Sequence, residues 1–134
     1  MVTANDMLLV PTESQEQQNL FKAIAYMQNT YPELKWLYHV PNGGLRDIRV
    51  AKKLKAEGVK SGVPDLVLPI PRYPFHGLYI EMKKTKGGRV SKDQRVWLDF
   101  LKEQNYMVDV AKGCDEALEI LMEYLKLPEW ELSK

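Results

Sequence analysis

Two carboxylates and a lysine stand where they can act on one shared ligand. Along the extended segment Leu78–Lys83, side chains alternate between faces, which places Tyr79, Glu81 and Lys83 on one side. The other side carries only apolar side chains, as in a strand that is buried. A charge buried in such a strand costs free energy unless it is paired or bound to a metal. Asp65 begins the neighbouring apolar run and supplies a second carboxylate.

This trio meets the requirements of metal-assisted phosphodiester cleavage. Mg²⁺ prefers carboxylate oxygens, water and substrate phosphate as ligands. Held between Asp65 and Glu81, it would neutralise charge that develops on a phosphate and lower the pKa of a bound water. Lys83 would orient or deprotonate that water, or stabilise the transition state. Without the surrounding motifs, an ion pair of Lys83 with Glu81 or Asp65 at a strand end is the simpler interpretation.

The other elements must bring Asp65 and Glu81 together. Capping boxes at Thr12–Gln15 and Ser91–Gln94 each predict the start of a helix. In chain order we predict a helix at 13–30, a strand at 36–40, a helix at 47–57, strands at 66–68 and 78–83, a helix from 91, a strand at 106–111 and a helix at 115–125. This α-β-α-β-β-α-β-α order predicts an α/β fold, with a central mixed β-sheet flanked by helices.

Charge is unevenly distributed along a chain whose net charge is only +1. Six basic residues lie between Arg46 and Lys60 against two acidic ones, and six between Lys83 and Arg95 against one. Residues 113–134 reverse the sign, with six acidic residues against two basic ones. These blocks indicate either one basic and one acidic face or ordinary solvated helix surfaces. In the helix at 47–57, Ile48, Ala51 and Leu54 have the spacing of an inward face, and Gly58 is the predicted C-cap.

The chain as a whole fits one compact domain, expected over 1–134 with its core at about 12–125. Its 134 residues are 45% hydrophobic and 28% charged, enough for a core and a polar surface. The lone Cys114 excludes an internal disulfide and favours a reducing compartment; we expect it to be a small loop-edge residue rather than a nucleophile. We expect no signal peptide and no membrane span, and therefore an intracellular protein, in a bacterial cytoplasm or a phage-infected host cell.

A family resemblance changes the weight given to these residues. Pro64-Asp65, followed by Glu81-Met82-Lys83 on the second of two adjacent strands, resembles the PD-(D/E)xK nuclease superfamily and implies its restriction-endonuclease-like core. More specifically, Gly62–Leu66, Tyr79–Lys83 and Ser91–Gln94 are similar to the VRR-NUC family. The resemblance extends from Thr12 to about Leu125. Each motif is short, but their order and spacing together are fairly specific.

The resemblance implies roles for individual residues. Asp65 and Glu81 would ligate the metal together with the backbone carbonyl of Met82, and Lys83 would be catalytic. Gln94 would point toward the site, although its capping-box role with Ser91 is the alternative, and one amide is not expected to fill both roles easily.

The family also places a glutamate of the first helix near the metal. Glu13 matches best, because Glu13 and Gln17 have the family's spacing, one helical turn apart. Glu16 is the alternative candidate. Either carboxylate can instead have only a structural role, through its favourable interaction with the dipole of the helix at its N-terminus. His39, alone on its strand, is expected to be structural rather than a general base.

DNA is the expected partner. Phosphate contacts from lysine and arginine would supply most of the affinity, and without a base-reading motif we expect recognition of shape and backbone. The Asn42-Gly43-Gly44 segment is either a close approach to phosphate, as the resemblance implies, or a plain tight turn. The expected nucleic-acid-binding residues are Asn42, Gly43, Arg46, Arg49, Lys52, Lys53, Lys60, Lys84, Lys86 and Arg89.

Stand-alone members of the resembled family are similar to dimeric nucleases that cut branched DNA. A two-fold enzyme suits a two-fold junction. The resemblance therefore implies a homodimeric, Mg²⁺-dependent deoxyribonuclease that cuts structures such as four-way (Holliday) junctions in DNA repair, with Mn²⁺ able to substitute. Two alternatives stay open: a non-catalytic DNA-binding module with the same fold, and a sequence-specific duplex endonuclease.

Overall fold

The order of helices and strands agrees with the sequence prediction. The structure is a computed structural model that describes residues 10–41 and 47–131. Its elements are α1 (Glu13–Met27), a 3-10 turn (Pro32–Trp36), β1 (Tyr38–His39), α2 (Ile48–Ala56), β2 (Leu66–Leu68), β3 (Leu78–Lys83), α3 (Lys92–Glu103), β4 (Met107–Lys112) and α4 (Cys114–Leu125). The largest differences are in the first two elements: the first helix ends at Met27 rather than Thr30, and the first strand shortens to Tyr38–His39, with Trp36 in the 3-10 turn. None of these helices combines the length and apolar character needed to cross a membrane.

The four strands form one mixed sheet in the order β1-β2-β3-β4. The β1–β2 and β2–β3 pairs are antiparallel, and β3–β4 is parallel. Leu66 lies opposite Ile80, so Asp65, one residue earlier, lies level with Glu81 at the same end of the sheet. The predicted α/β fold with a central mixed sheet is confirmed, and its register places the two carboxylates on neighbouring strands.

One face of the sheet forms the hydrophobic core. Alternate residues of β2 and β3 pack there against α1 and α4, as the period of two along a strand requires. The buried members of this cluster include Leu20, Ile24, Leu66, Leu68, Leu78, Ile80, Met82, Ala111, Ala117, Leu121 and Tyr124. Glu81 and Lys83 therefore belong to the opposite face.

Helix α3 packs on that opposite face through its buried Leu98 and Leu101. Its N-terminus approaches the chain that enters β2. A Cβ atom added at Gly62, which has φ +90°, would lie 2.5 Å from the carbonyl carbon of Asp93. Only glycine accepts that approach and that backbone conformation. The glycine thus brings the start of α3 next to Asp65.

Helix α2 differs from the prediction. Ile48 is 73% exposed and Ala51 is also exposed, so the predicted inward orientation of these two is wrong; only Leu54 is half-buried. An amphipathic pattern shows which face of a helix is apolar, but not whether another element covers it. The predicted ending is confirmed: Gly58, at φ +101°, follows the cap residue in a Schellman motif, with Val59 N–H donating to Leu54 O at 3.0 Å.

Candidate metal centre

Three carboxylates converge at one end of the sheet. Glu13 begins α1, Asp65 precedes β2, and Glu81 lies in the middle of β3. One oxygen from each lies within 4.8 Å of the others. Glu81 is only 1% exposed, while Glu13 and Asp65 are half-buried. Among the described residues, this is the group of acidic side chains whose spacing suits a metal ion.

Local hydrogen bonds fix two of these carboxylates. The capping box predicted at Thr12 is present, with Gln15 N–H donating to Thr12 Oγ1 at 3.1 Å, and it sets the start of α1 so that Glu13 is its first residue. Met82 N–H donates to Asp65 Oδ2 at 2.8 Å. The Asp65 side chain is thus held against the neighbouring strand and keeps its other oxygen available.

Glu16, the rival of Glu13, has a structural role. It is buried, and its Oε2 accepts a 2.6 Å hydrogen bond from the backbone N–H of Cys114. That N–H belongs to the first residue of α4, where a carboxylate satisfies an otherwise unpaired donor and interacts favourably with the helix dipole. Burial raises the pKa of the Cys114 thiol, which disfavours the thiolate and agrees with the prediction that this cysteine is not a nucleophile.

Gln94 fills both of the roles that were expected to exclude each other, so that expectation is wrong. Its Oε1 accepts from Ser91 N–H at 2.8 Å and completes the capping box of α3. Its Nε2 donates to Glu81 Oε1 at 2.9 Å. The two ends of a side-chain amide have opposite hydrogen-bonding character and point in different directions, so one residue can cap a helix and hold a carboxylate.

Lys83 is buried beside Glu81. Its Nζ lies 3.6 Å from Glu81 Oε1, an ion pair longer than an ordinary hydrogen bond. Both side chains are largely removed from water, so the pair is weak evidence for stability because desolvation offsets the attraction. The ammonium therefore stands at the edge of the acidic cluster, two residues along the same face of β3.

The acidic cluster fits a divalent cation. Glu81 Oε2 is buried and has no hydrogen-bond partner within the described part of the chain. Buried polar atoms without partners are rare and costly. A hard cation that bonds this oxygen together with oxygens of Asp65 and Glu13 would remove that cost, and oxygen-only ligands suit Mg²⁺ or Mn²⁺.

The cluster also perturbs its own protonation. Burial, with the nearby Asp65 charge next in importance, raises the pKa of Glu81 to about 8, and Lys83 only partly opposes the shift. Burial likewise raises the pKa of Glu13. The raised pKa favours the protonated form of Glu81 in the metal-free protein, so a cation that binds there competes with a proton.

We expect metal binding to strengthen with pH up to about 8. Since Glu81 is protonated below its pKa of about 8, each bound ion releases about one proton, and the affinity should rise about tenfold per pH unit between pH 6 and 7.5. Calorimetric titration with Mg²⁺ in two buffers of different ionisation enthalpy measures the proton release directly. A constant affinity over this range, with no proton released, would contradict the assignment of Glu81 as a ligand.

His39 supports Asp65 from the backbone side. Its Nδ1 lies 3.0 Å from the Asp65 carbonyl oxygen, which also accepts the Val40 N–H at 2.7 Å. A carbonyl only accepts, so His39 must donate from Nδ1. This agrees with the structural role predicted for the histidine.

Gln17, whose spacing with Glu13 matches the family, is half-buried on α1.

The predicted DNA-contacting residues occupy two exposed segments. Arg49, Lys52 and Lys53 lie on α2 with Lys60 after it, and Lys84, Lys86 and Arg89 lie in the loop after β3. All seven are exposed. Asn42, Gly43 and Arg46 lie outside the described residues.

Sequence reasoning missed one basic residue near the site. Lys112, at the end of β4, lies opposite Lys83 in the parallel β3–β4 pair and is exposed. Paired residues of neighbouring strands share a sheet face, so Lys112 extends the basic surface beside the acidic cluster. Lys112 lies one residue beyond the strand predicted at 106–111, and only the observed strand register places it next to Lys83.

Fold and site together define a nuclease-type DNA-processing domain. The VRR-NUC domain profile matches residues 8–115, and the chain belongs to this family. A solved structure described as a "VRR_NUC domain protein" is similar, with a TM-score of 0.76 and 29% sequence identity over 90% of this chain and 93% of the other. No curated protein matches the chain. The resemblance expected from the sequence motifs is confirmed.

Proposed function

We propose that this protein is a Mg²⁺-dependent endonuclease that hydrolyses phosphodiester bonds in branched DNA, such as four-way junctions. The observation that carries the proposal is the convergence of carboxylate oxygens of Glu13, Asp65 and Glu81 within 4.8 Å, with the Lys83 ammonium 3.6 Å from Glu81. A cluster of this composition beside a lysine is suited to metal-assisted attack of water on a phosphate. Membership of the VRR-NUC family supports the same chemistry.

Each residue has a proposed role. Glu13, Asp65 and Glu81 hold the metal together with the Met82 carbonyl, and Mn²⁺ can substitute for Mg²⁺. The bound metal supplies Lewis-acid activation of water and phosphate. Gln94 holds Glu81 Oε1 in place through its 2.9 Å hydrogen bond. Lys83 orients or deprotonates the attacking water, or neutralises charge on the phosphate.

DNA would lie between α2 and the loop after β3. Helix α2 is exposed on all sides except near Leu54, and it carries four basic residues and no acidic one: Arg49, Lys52, Lys53 and Lys55. Arg49 forms an exposed 3.8 Å ion pair with the N-cap residue Asp47. With Lys60, Lys84, Lys86 and Arg89, and with the segment that holds Asn42, Gly43 and Arg46, they would contact phosphates. Contacts of this kind confer affinity without sequence selection.

We expect the Lys52→Ala, Lys53→Ala double variant to weaken binding to all DNA sequences equally. The slope of log K against log salt should become less steep by about 0.9 for each lost phosphate contact. Lys126→Ala serves as the control, because Lys126 caps the far end of α4, about 18 Å along the helix from Cys114. Fluorescence anisotropy titrations at several salt concentrations measure both slopes. Equal slopes for wild type and the double variant would exclude α2 from the interface.

We further propose a single nuclease domain over 1–134 that acts as a homodimer inside the cell, where the one thiol stays reduced. Two paired cuts in a junction need two sites at fixed separation. Sedimentation of the 15.5 kDa chain distinguishes monomer from dimer. A stable monomer that still cut junctions symmetrically would contradict the dimer.

The direct test is cleavage of labelled four-way junction, flap and linear duplex in Mg²⁺, Mn²⁺ or EDTA. We expect cuts near the branch, with either metal and not with EDTA, and their loss in Asp65→Asn. Binding without any cleavage would make the protein a DNA-binding module. Cutting of linear duplex at one short sequence would make it a sequence-specific endonuclease.

A further inference from the structure

The sheet face that carries the acidic cluster continues into a row of aromatic and apolar side chains. Tyr38 of β1 lies opposite Val67 of β2, Val67 opposite Tyr79 of β3, and Tyr79 opposite Val108 of β4. Residues paired in this way share one face. Since Tyr79 and Glu81 are two positions apart on β3, the row lies about 7 Å from the carboxylates on the same face.

Helix α3 covers this face on one side only. Its flank with Arg95, Leu98 and Lys102 lines a cavity over β4 together with Val108 and Val110. The helical repeat puts Asp93, Trp97 and Phe100 on the other flank. Asp93 Oδ2 accepts from Ser61 Oγ at 2.9 Å, in the segment that enters β2. That flank therefore runs alongside β2, and within the described part of the chain no helix packs closely on the β1 side of this sheet face.

Four rings belong to this sheet face or to the flank of α3 that adjoins it. Tyr38 is 50% exposed and Phe100 is 51% exposed, while Tyr79 and Trp97 are half-buried. Trp97 and Phe100 are edge-to-face, with centroids 6.4 Å apart. Tyr38 and Tyr79 flank Val67 in the strand register, and Tyr79 packs edge-to-face on Tyr106 with ring centroids 5.2 Å apart. We call Tyr38, Tyr79, Trp97 and Phe100 the aromatic strip; buried Val67 is its floor.

We propose that the aromatic strip binds an unstacked nucleobase of the DNA strand next to the scissile phosphate. The inference rests on the proposed nuclease function and names the feature of DNA that the site selects. Tyr38 and Tyr79 share the sheet face of the acidic cluster, and Trp97 and Phe100 lie on the adjoining helix α3. A DNA strand held at the cluster can therefore extend over the strip. The one carboxylate on the adjoining flank, Asp93, is already engaged by Ser61, and no described member of the strip carries a charge that would repel phosphate.

Stacking explains selection of shape without selection of sequence. Every base has a π-face, so an aromatic platform accepts any of the four. In an intact duplex each base is already stacked between its neighbours, whereas at a branch, flap or gap a base can leave the stack. The strip would thus favour open strands over duplex, in addition to the phosphate contacts that all DNA shares.

The test is binding of a flap or junction that carries 2-aminopurine at the branch, compared with linear duplex, with Ca²⁺ in place of Mg²⁺. Tyr38→Ala and Phe100→Leu should each weaken branched-DNA binding about 5- to 100-fold and leave duplex binding unchanged. Tyr38→Phe and Phe100→Tyr, which keep the ring, should restore it, together with the quenching of 2-aminopurine. Tyr26→Ala is the matched control, since Tyr26 is 88% exposed on α1 and outside the strip.

Several results would overturn the proposal. Equal losses on branched and linear DNA would make the strip a general contact surface. Conversion of a dimer to a monomer by Phe100→Leu, measured by sedimentation, would make it an interface between two copies. Intact branch binding and cleavage in both variants would refute the strip while leaving the nuclease proposal standing. By contrast, branch binding that depends on the strip, without cleavage by wild type, would support the strip and refute the nuclease function alone.

Discussion

Glu81→Gln is expected to match wild type in stability at pH 5 and to exceed it at pH 9 when no metal is present. Glu81 is 1% exposed, and its pKa is raised to about 8 by burial and by Asp65. A group whose pKa is raised on folding contributes stability that is complete below its unfolded pKa and is lost as pH rises through the folded value. Wild type therefore loses stability between about pH 4.5 and 8, and an uncharged glutamine does not.

The same substitution should abolish the response to metal. At 100 times its dissociation constant, a ligand that binds only the folded state stabilises it by about 2.7 kcal/mol. Wild type should gain about this much with Mg²⁺ at pH 8, and Glu81→Gln should gain little, because an amide oxygen is a poor substitute for a carboxylate. Thermal unfolding at pH 5, 7 and 9, with Mg²⁺ or EDTA, measures both effects. A variant that is less stable at pH 9 and still responds to Mg²⁺ would contradict both arguments.

Glu16→Gln is the matched control, since both glutamates are buried. Glu16 accepts from the first N–H of α4, so loss of its charge should destabilise the protein by about 0.3–1 kcal/mol. It should not change the response to Mg²⁺. At pH 9, Glu81→Gln should raise the free energy of unfolding and Glu16→Gln should lower it. Opposite changes would distinguish a carboxylate that serves metal binding from one that stabilises the fold.

The acidic cluster could be predicted because its determinants are local. The alternation of side chains along 78–83 separates Glu81 and Lys83 from the apolar residues of the core face, and the apolar run after Asp65 marks the adjacent strand. Glu13 was predicted from its spacing with Gln17, which matches the family, and the structure places it in the same cluster. Both capping boxes could be predicted for the same reason, because each depends on two residues three positions apart.

The features that could not be predicted from the sequence depend on packing between distant segments. The pattern of α2 is that of a helix with an inward face, but its exposed Ile48 has no element to pack on among the described residues. Lys112 became visible only through the parallel register that sets it opposite Lys83. The double role of Gln94 required the approach of α3 to β2 that Gly62 permits. Register and approach are tertiary quantities that no local pattern encodes.

Lys83→Met is expected to reduce cleavage about 10²- to 10⁴-fold while metal binding persists. One well-placed acid–base or electrostatic group contributes about this much to a rate. Methionine nearly preserves the length and apolar stem of the side chain, so packing against the buried end of β3 changes little. Removal of the ammonium, 3.6 Å from Glu81 Oε1, leaves more negative charge for a cation. Calorimetry at pH 8.5 should therefore show Mg²⁺ affinity equal to that of wild type or higher.

Lys83→Arg separates the possible roles of the ammonium. An arginine stays protonated throughout the usable pH range and cannot remove a proton from water. If Lys83 stabilises charge, Lys83→Arg should retain more activity than Lys83→Met; if it is the base, both should be equally inactive. Lys84→Met is the control, because Lys84 is adjacent in sequence but exposed, and its loss should weaken DNA binding rather than single-turnover cleavage. Full activity in Lys83→Met, with metal bound, would show that Lys83 has no catalytic role. Its buried ion pair with Glu81 would then be a structural feature of β3.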